Sequence, residues 1–402
     1  MSRLLGTVVR GLRAPIIKEG DDLAQIVKST LVHAADQEGF NIQDKDIIAV
    51  TESILARAQG NFVSLDAVAQ DLNEKFASDT IGIVFPITSR NRFYPILQAI
   101  ARAKSKVVIQ FAYPRDEVGN ALISDQALEE ADINPWSTKL TEEEFIQTFG
   151  QPKHPFTGQN YVALYKDCVE SEGAECEIIF SNRVETILDY SQDVLVCTTH
   201  SRDRLKRELK KADSQGVVLS LDNILTQAPN EGERYNEEFG LLGANLSGEN
   251  TLKLFPRDAM TFVRDLQAMI AEETGHTIEV MVYGDGAFKD PVGHIWELAD
   301  PVVSPGYTDG LAGTPHEMKL KYLADNQFSE LSGQDLEDAM REHIKKHEEN
   351  EGDTHHSSVG TTPRQITDLV GSLADLTSGS GDKGTPFIYI QGYFDNYSTK
   401  RV

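Results

Sequence analysis

Short apolar runs alternate with amphipathic stretches along the chain, and this pattern predicts most of its elements. Leu4–Val9 reads as a strand, and Asp21–Ala35 carries its apolar residues at helical spacing. Asp46-Ile47-Ile48-Ala49-Val50 has the continuous apolar character of a buried strand and runs directly into Thr51–Gly60. From about residue 80 the rhythm becomes regular. Ile81–Ile87 predicts a strand, a helix ends near Ala103, and Lys106–Phe111 predicts the next strand. The alternation returns at Glu177–Phe180, Val184–Tyr190, Val194–Thr198, Arg202–Lys211 and Val217–Leu221. Strands alternating with helices predict βαβ units on a parallel sheet. Residues 113–160 are polar and contain prolines, so they read as a long connection or a lid.

Beyond residue 235, Pro256–Thr274 predicts an amphipathic helix and Thr277–Tyr283 a strand. Leu336–His347 predicts an exposed helix, and Glu348–Gly360 a polar loop bearing His355 and His356. The chain closes with a helix over Pro363–Leu376, a Gly/Ser turn, and a strand over Pro386–Gln391. The expected fold is mixed α/β (α+β in its core). Residues 1–80 and 236–402 form a core, and 81–235 form an inserted alternating β/α unit.

Composition changes this picture little. The 402 residues suffice for two or three compact units, and 40% hydrophobic with 25% charged residues is ordinary for a globular protein. A formal charge of −25 argues against a nucleic-acid binder, because the phosphate backbone would be repelled. No stretch approaches the ~20 apolar residues of a membrane span. The N-terminal residues have neither the long apolar run nor the small-residue cleavage site of a signal peptide. Cys168, Cys176 and Cys197 are odd in number and form no CxxC pair, which argues against a disulfide framework. A cytoplasmic location is expected.

Three segments carry candidate chemistry. Leu376–Pro386 contains Ser378-Gly379-Ser380-Gly381-Asp382-Lys383-Gly384-Thr385 between a helix and a strand, where backbone N–H groups can approach an anion closely. A plain surface turn gives the same pattern. Gly284-Asp285-Gly286 follows an apolar strand, a place suited to a metal-ligating or catalytic carboxylate, or to a simple turn. Phe239–Asn250 is a polar loop with Asn245, Ser247, Glu249 and Asn250, leading to Pro256-Arg257-Asp258. Arg90, Arg92, His200 and Arg202 follow apolar strands, where open α/β sheets often contact ligands, though solvated helix starts look alike. His294 and the His355–His356 pair read as structural or solvated, and Cys197 as a small hydrophobe.

In order and spacing these segments resemble the coenzyme F-420 γ-glutamyl ligases. Pro15-Ile16-Ile17 before Gly20-Asp21-Asp22-Leu23 is similar to that family's opening motif, and Asp46–Gly60 to its strand-helix motif. Gly243–Asn250 with Pro256-Arg257-Asp258 resembles its asparagine loop, and Ile366–Pro386 its last helix and turn. The resemblance implies a ligase that uses GTP (or ATP) and Mg²⁺ or Mn²⁺ to activate a carboxylate as an acyl phosphate, which the amine of an amino acid such as L-glutamate then attacks. It implies nucleotide contacts from Ala14, Pro15, Ile16, Ile17, Glu52, Ser53, Arg57, Asn245, Asn250 and Ser378–Thr385, covering Ser378, Gly379, Ser380, Gly381, Asp382, Lys383, Gly384 and Thr385. Asp285 would hold metal, with Glu249 in catalytic and metal-binding support. Small carboxylates and amino acids are the implied partners, and a homodimer the implied assembly.

The chain departs from the family where Ser247 and Ser380 stand at acidic or amide metal-ligand positions, Arg57 at a lysine and Gly286 at a threonine. Glu249, Asp290 or Asp382 would then restore the lost charge, Glu249 first because it shares the loop. The insertion implies a substrate other than the deazaflavin coenzyme. A folate-type γ-glutamyl ligase and a nucleotide-binding protein whose catalytic site has decayed are the alternative expectations.

Overall fold

Along Ile47–Thr51 successive side chains leave the strand on opposite sides. Ile48 and Val50 enter one apolar core and Ile47 and Ala49 another, so every residue from Ile47 to Val50 is buried. A strand covered on both faces needs this unbroken apolar run. The computed structural model describes residues 5–154, 158–212, 214–227, 235–284, 287–289, 296–298, 303–315, 318–349 and 364–399. The chain divides into two compact units. The first comprises Met1–Ala58, Asp258–Phe288 and Trp296–Val402, and the second Gln59–Arg257 and Lys289–Ile295.

In the first unit the described residues form a five-stranded mixed sheet, in the order Val8–Leu12, Phe387–Gln391, Ile47–Thr51, Glu279–Gly284, Val303–Tyr307. Ile47–Thr51 and Glu279–Gly284 are parallel, and the other neighbours antiparallel. Helices Leu23–Glu38 and Ala259–Thr274 cover one face through Val27, Leu31, Val263 and Leu266. Helix Ile366–Ser378 covers the other through Ile366, Val370 and Ala374. Asp22 caps the first helix by accepting from the Gln25 N–H at 3.0 Å. Gly306 allows the edge strand to approach the Ala259 helix. A Cβ there would lie 2.5 Å from the Ala259 carbonyl carbon. The strand expected over Leu4–Val9 is found at Val8–Leu12, because it pairs residue for residue with Phe387–Gln391.

In the second unit the described residues form a six-stranded sheet, in the order Leu140–Thr141, Glu175–Phe180, Lys106–Phe111, Thr80–Val84, Val194–Val196, Val218–Ser220. All are parallel except the Leu140–Thr141 edge. Numbered in chain order, the parallel strands lie 3-2-1-4-5, the order of a doubly wound sheet. One face packs on helices Leu65–Lys75, Phe93–Ala103 and Tyr161–Ser171, and the other on the turn Val184–Asp189 and helix Arg202–Lys211. A smaller sheet joins Asn245–Gly248, Thr251–Lys253 and Phe62–Ser64.

The stretch 113–160, expected as a connection or lid, is partly regular. It holds helices Asp125–Glu130 and Glu142–Phe149 besides the edge strand. Thr141 and Glu144 cap the latter helix reciprocally, and Phe145 stacks on Phe180 with ring centroids 3.8 Å apart. Cys197 is buried as expected, and burial raises its thiol pKa well above the ordinary value. No described helix is long and apolar enough to cross a membrane.

Candidate functional site

The registers of the first sheet bring four strand ends together at one end of the sheet. Leu12 is opposite Phe387, Phe387 opposite Val50, and Tyr283 opposite Thr51. The C-terminal ends of Val8–Leu12, Ile47–Thr51 and Glu279–Gly284 therefore lie beside the N-terminal end of Phe387–Gln391. The segments attached there are Ala14–Ile17, the Glu52-Ser53 helix start and the turn Ser378–Thr385. Gly284 leads to Asp285, which lies outside the described residues, as do Asp290, His294, His355 and His356.

Backbone hydrogen bonds fix this end of the sheet. The Ala14 N–H donates to the Gly384 carbonyl at 3.0 Å, and the Thr51 N–H to the Pro386 carbonyl at 3.1 Å. Arg57 Nε donates to the Ile17 carbonyl at 2.6 Å, and the Gly20 N–H to the Ala58 carbonyl at 2.9 Å. These two bonds hold the opening motif against the Glu52–Ala58 helix. Ile17 is buried, whereas its neighbour Ile16 is 84% exposed beside the exposed Pro15. Glu52 is buried at the first turn of that helix, and Ser53 is exposed.

The glycine turn is closed from both ends. Ser378 Oγ donates to the Asp375 carbonyl at 2.8 Å, and Thr385 Oγ1 to the Ser378 carbonyl at 2.9 Å. Gly379 and Gly384 both have φ 65°, left-handed conformations that glycine adopts without strain. Residues 379–384 are exposed, so the loop is open to an incoming group. A Cβ on Gly379 would meet the Lys383 ammonium, which places that charge back over the turn. Ser380 Oγ donates to Asp382, and this bond, with the Asp382 and Lys383 backbone and the nearby Lys383 charge, holds the Asp382 carboxyl below its ordinary pKa. Tyr283 lies close by. Burial pushes its phenol up to about 12, and the interaction with the Ser378 side chain opposes the shift.

Asn245, Glu249 and Asn250 belong to the second unit. Asn245 begins a hairpin strand opposite Lys253, and Glu249 and Asn250 form the exposed connection. Asn250 Oδ1 accepts from Arg102 at 2.9 Å, and its carbonyl accepts from the Leu65 N–H at 3.1 Å. Arg102 also binds Glu172 and Asp66, so the asparagine is locked into a polar network. Sequence reasoning missed Arg102, whose place on the last turn of an apolar helix carries no motif. Among the described residues no three His, Cys, Asp or Glu side chains converge on a point that fits a metal ion. A cleft of about 490 Å³ lined by Asp203, Lys206, Arg207, Lys210, Val218, Leu219, Asn223 and Thr226 contains none of the expected residues.

The first unit is thus a mixed α/β scaffold that gathers an exposed glycine turn and a buried acid at one end of its sheet. The sequence model of the F420-0:Gamma-glutamyl ligase family matches residues 11–392, and the chain belongs to that family. It is also similar to the coenzyme F420:L-glutamate ligase of Methanothermobacter thermautotrophicus, with 33% identity over 70 residues. That match covers 16% of this chain and 26% of the relative, so the chain spans about a quarter of that curated protein.

Proposed function

We propose that this chain is a nucleotide-dependent ligase that joins an amino acid, L-glutamate first, to a small carboxylic acid through an acyl phosphate. The carrying observation is the convergence of Ala14–Ile17, Glu52 and the Ser378–Thr385 turn at one end of the sheet. Membership of a γ-glutamyl ligase family supports the reaction type. GTP or ATP, when bound, would supply the phosphoryl group that makes a carboxylate electrophilic. The exposed turn offers Lys383 to phosphate oxygens, and the exposed Ile16 offers an apolar surface. Mg²⁺ or Mn²⁺ belongs to the proposal through Asp285, Glu249 and Asp382. Asp382 gains support from its bond to Ser380, the position where the family carries a ligand. A homodimeric, cytoplasmic protein completes this reading.

A second reading, a nucleotide-binding protein without turnover, is favoured by Ser247 and Ser380 at metal-ligand positions. Phosphate release from GTP and ATP, with Mg²⁺ or Mn²⁺ and a panel of amino acids and carboxylates including folate-type acids, separates the two. The ligase predicts release that requires both an amino acid and a carboxylate. Nucleotide binding without release for any pair supports the second reading, and absence of nucleotide binding overturns both.

A further inference from the structure

The second unit carries its own candidate site. In its 3-2-1-4-5 sheet the strand order reverses between Thr80–Val84 and Val194–Val196, and doubly wound sheets bind ligands beyond the C-terminal ends of strands at such a reversal. The two strands are still joined where the Cys197 N–H donates to the Val84 carbonyl at 3.1 Å. Beyond that bond their loops diverge. Thr88 is anchored on Asp116, by its N–H at 2.8 Å and its hydroxyl at 2.9 Å, and the Ser89 N–H donates to the Tyr165 hydroxyl at 2.9 Å.

Glu117 extends from the loop after Lys106–Phe111 to the segment before helix Arg202–Lys211. Its carboxylate accepts from the Thr199 N–H, from the His200 N–H at 3.2 Å and from Ser201 Oγ at 3.4 Å. Such a carboxylate could be only a helix cap. The independent observation is Thr198, which adjoins these amides. It is 1% exposed, and its hydroxyl has no hydrogen-bond partner. Gln110, fully buried near the end of its strand, likewise leaves Oε1 unsatisfied while its amide nitrogen donates to the Ser181 and Arg183 carbonyls. Buried polar atoms are nearly always paired, because an unpaired one has lost its bonds to water without replacement. Gln110 lies one strand further across the sheet, with Thr80–Val84 between, so the Thr198 hydroxyl beside the amides that hold Glu117 is the atom that marks a place prepared for a polar group.

We propose that this crevice is a carboxylate-binding site for a small molecule, with Glu117 seated in it as an internal stand-in. A ligand carboxylate replaces Glu117 on the Thr199 and His200 amides and gives the Thr198 hydroxyl its missing partner. The site rests on the second unit alone and is independent of the ligase reading.

The test is amide NMR of the full ²H,¹⁵N-labelled chain titrated with glutarate and, separately, with inorganic phosphate. E117A vacates the amide pair, so glutarate is expected to shift the Thr199 and His200 resonances saturably, with a Kd about tenfold tighter than in the unsubstituted chain. Adding T198V is expected to weaken that binding about tenfold. If E117A loses its spectral dispersion, E117Q is read instead, with the same ordering expected. Absence of saturable shifts, indifference to T198V, or tighter binding of phosphate than of glutarate each overturns the proposal.

Discussion

The Ala14 N–H donates to the carbonyl of Gly384 at 3.0 Å, joining the opening motif to the terminal glycine turn across 370 residues of chain. The bond lies just beyond the antiparallel pairing of Val8–Leu12 with Phe387–Gln391, shifted by one residue from its register. It requires Gly384 to hold φ at 65°. Gly384→Val should therefore cost about 1–2 kcal/mol, the left-handed strain of a branched residue, since nothing else crowds the position. Titration calorimetry with GTP is expected to show about a tenfold loss of affinity, the equivalent of about 1.4 kcal/mol. Gly384→Asn should retain most of the binding, because asparagine tolerates this conformation.

Arg57 acts on the same end of the sheet from the helix side. Its Nε bond to the Ile17 carbonyl fixes the segment that leaves Ile16 exposed. Because Arg57 is itself exposed, Arg57→Met should cost only about 1 kcal/mol in urea unfolding. Arg57→Lys should lose nearly as much, since an ammonium cannot reproduce the planar donor. Full stability in the lysine variant would show that charge, not geometry, holds the motif.

Gly306 tests the packing beneath the edge. A methyl group there meets the Ala259 backbone at 2.5 Å, and backbone cannot rotate away as a side chain can. Gly306→Ala is expected to destabilise the protein by about 1–3 kcal/mol by overpacking. A thermal midpoint equal to that of the parent chain would contradict this close approach.

Alkaline stability should report on Tyr283. Its folded pKa is about 12, against 10.0 for the free phenol. Between these values the unfolded chain loses the proton and the folded chain keeps it, so stability is complete below about pH 10 and declines through pH 12. Tyr283→Phe should make that decline shallower in unfolding measured at pH 9, 10 and 11. Tyr389, whose phenol is also raised by burial and by its bond to Asp46, supplies a further part of the slope and remains in the variant.

Much of this architecture was legible because burial on both faces leaves a mark in sequence. Ile47–Val50 and Lys106–Phe111 had to be strands, being too short and too uniformly apolar for surface helices. The strand at Val8–Leu12 reads toward Leu4 in the sequence because its limits depend on a partner more than 370 residues away. Glu142–Phe149 was hidden because a mostly polar helix with one deeply buried residue, Phe145, lacks an apolar stripe. At the candidate site, the glycine turn and opening motif were visible as local patterns. Arg102 and the unpaired Thr198 hydroxyl were not, since their significance lies in what surrounds them in space.

The charge missing at Ser380 distinguishes two acids. Asp382 accepts from the Ser380 hydroxyl and is held below the ordinary carboxyl range, so it is ionised wherever the enzyme would work. Glu249 is exposed in the hairpin connection of the second unit. If Asp382 supplies the charge, Asp382→Asn should raise the Mn²⁺ concentration needed for half-maximal nucleotide binding by about tenfold, with the metal-free affinity unchanged. Glu249→Gln should leave that requirement near its original value. If Glu249 supplies the charge, the two outcomes exchange. Ser380→Asp offers a check that does not depend on removing a group. A second carboxylate beside Asp382 should tighten metal-dependent binding, while its repulsion of the phosphates should weaken nucleotide binding without metal. Weakening in both conditions would show that position 380 meets phosphate through its hydroxyl rather than through a cation.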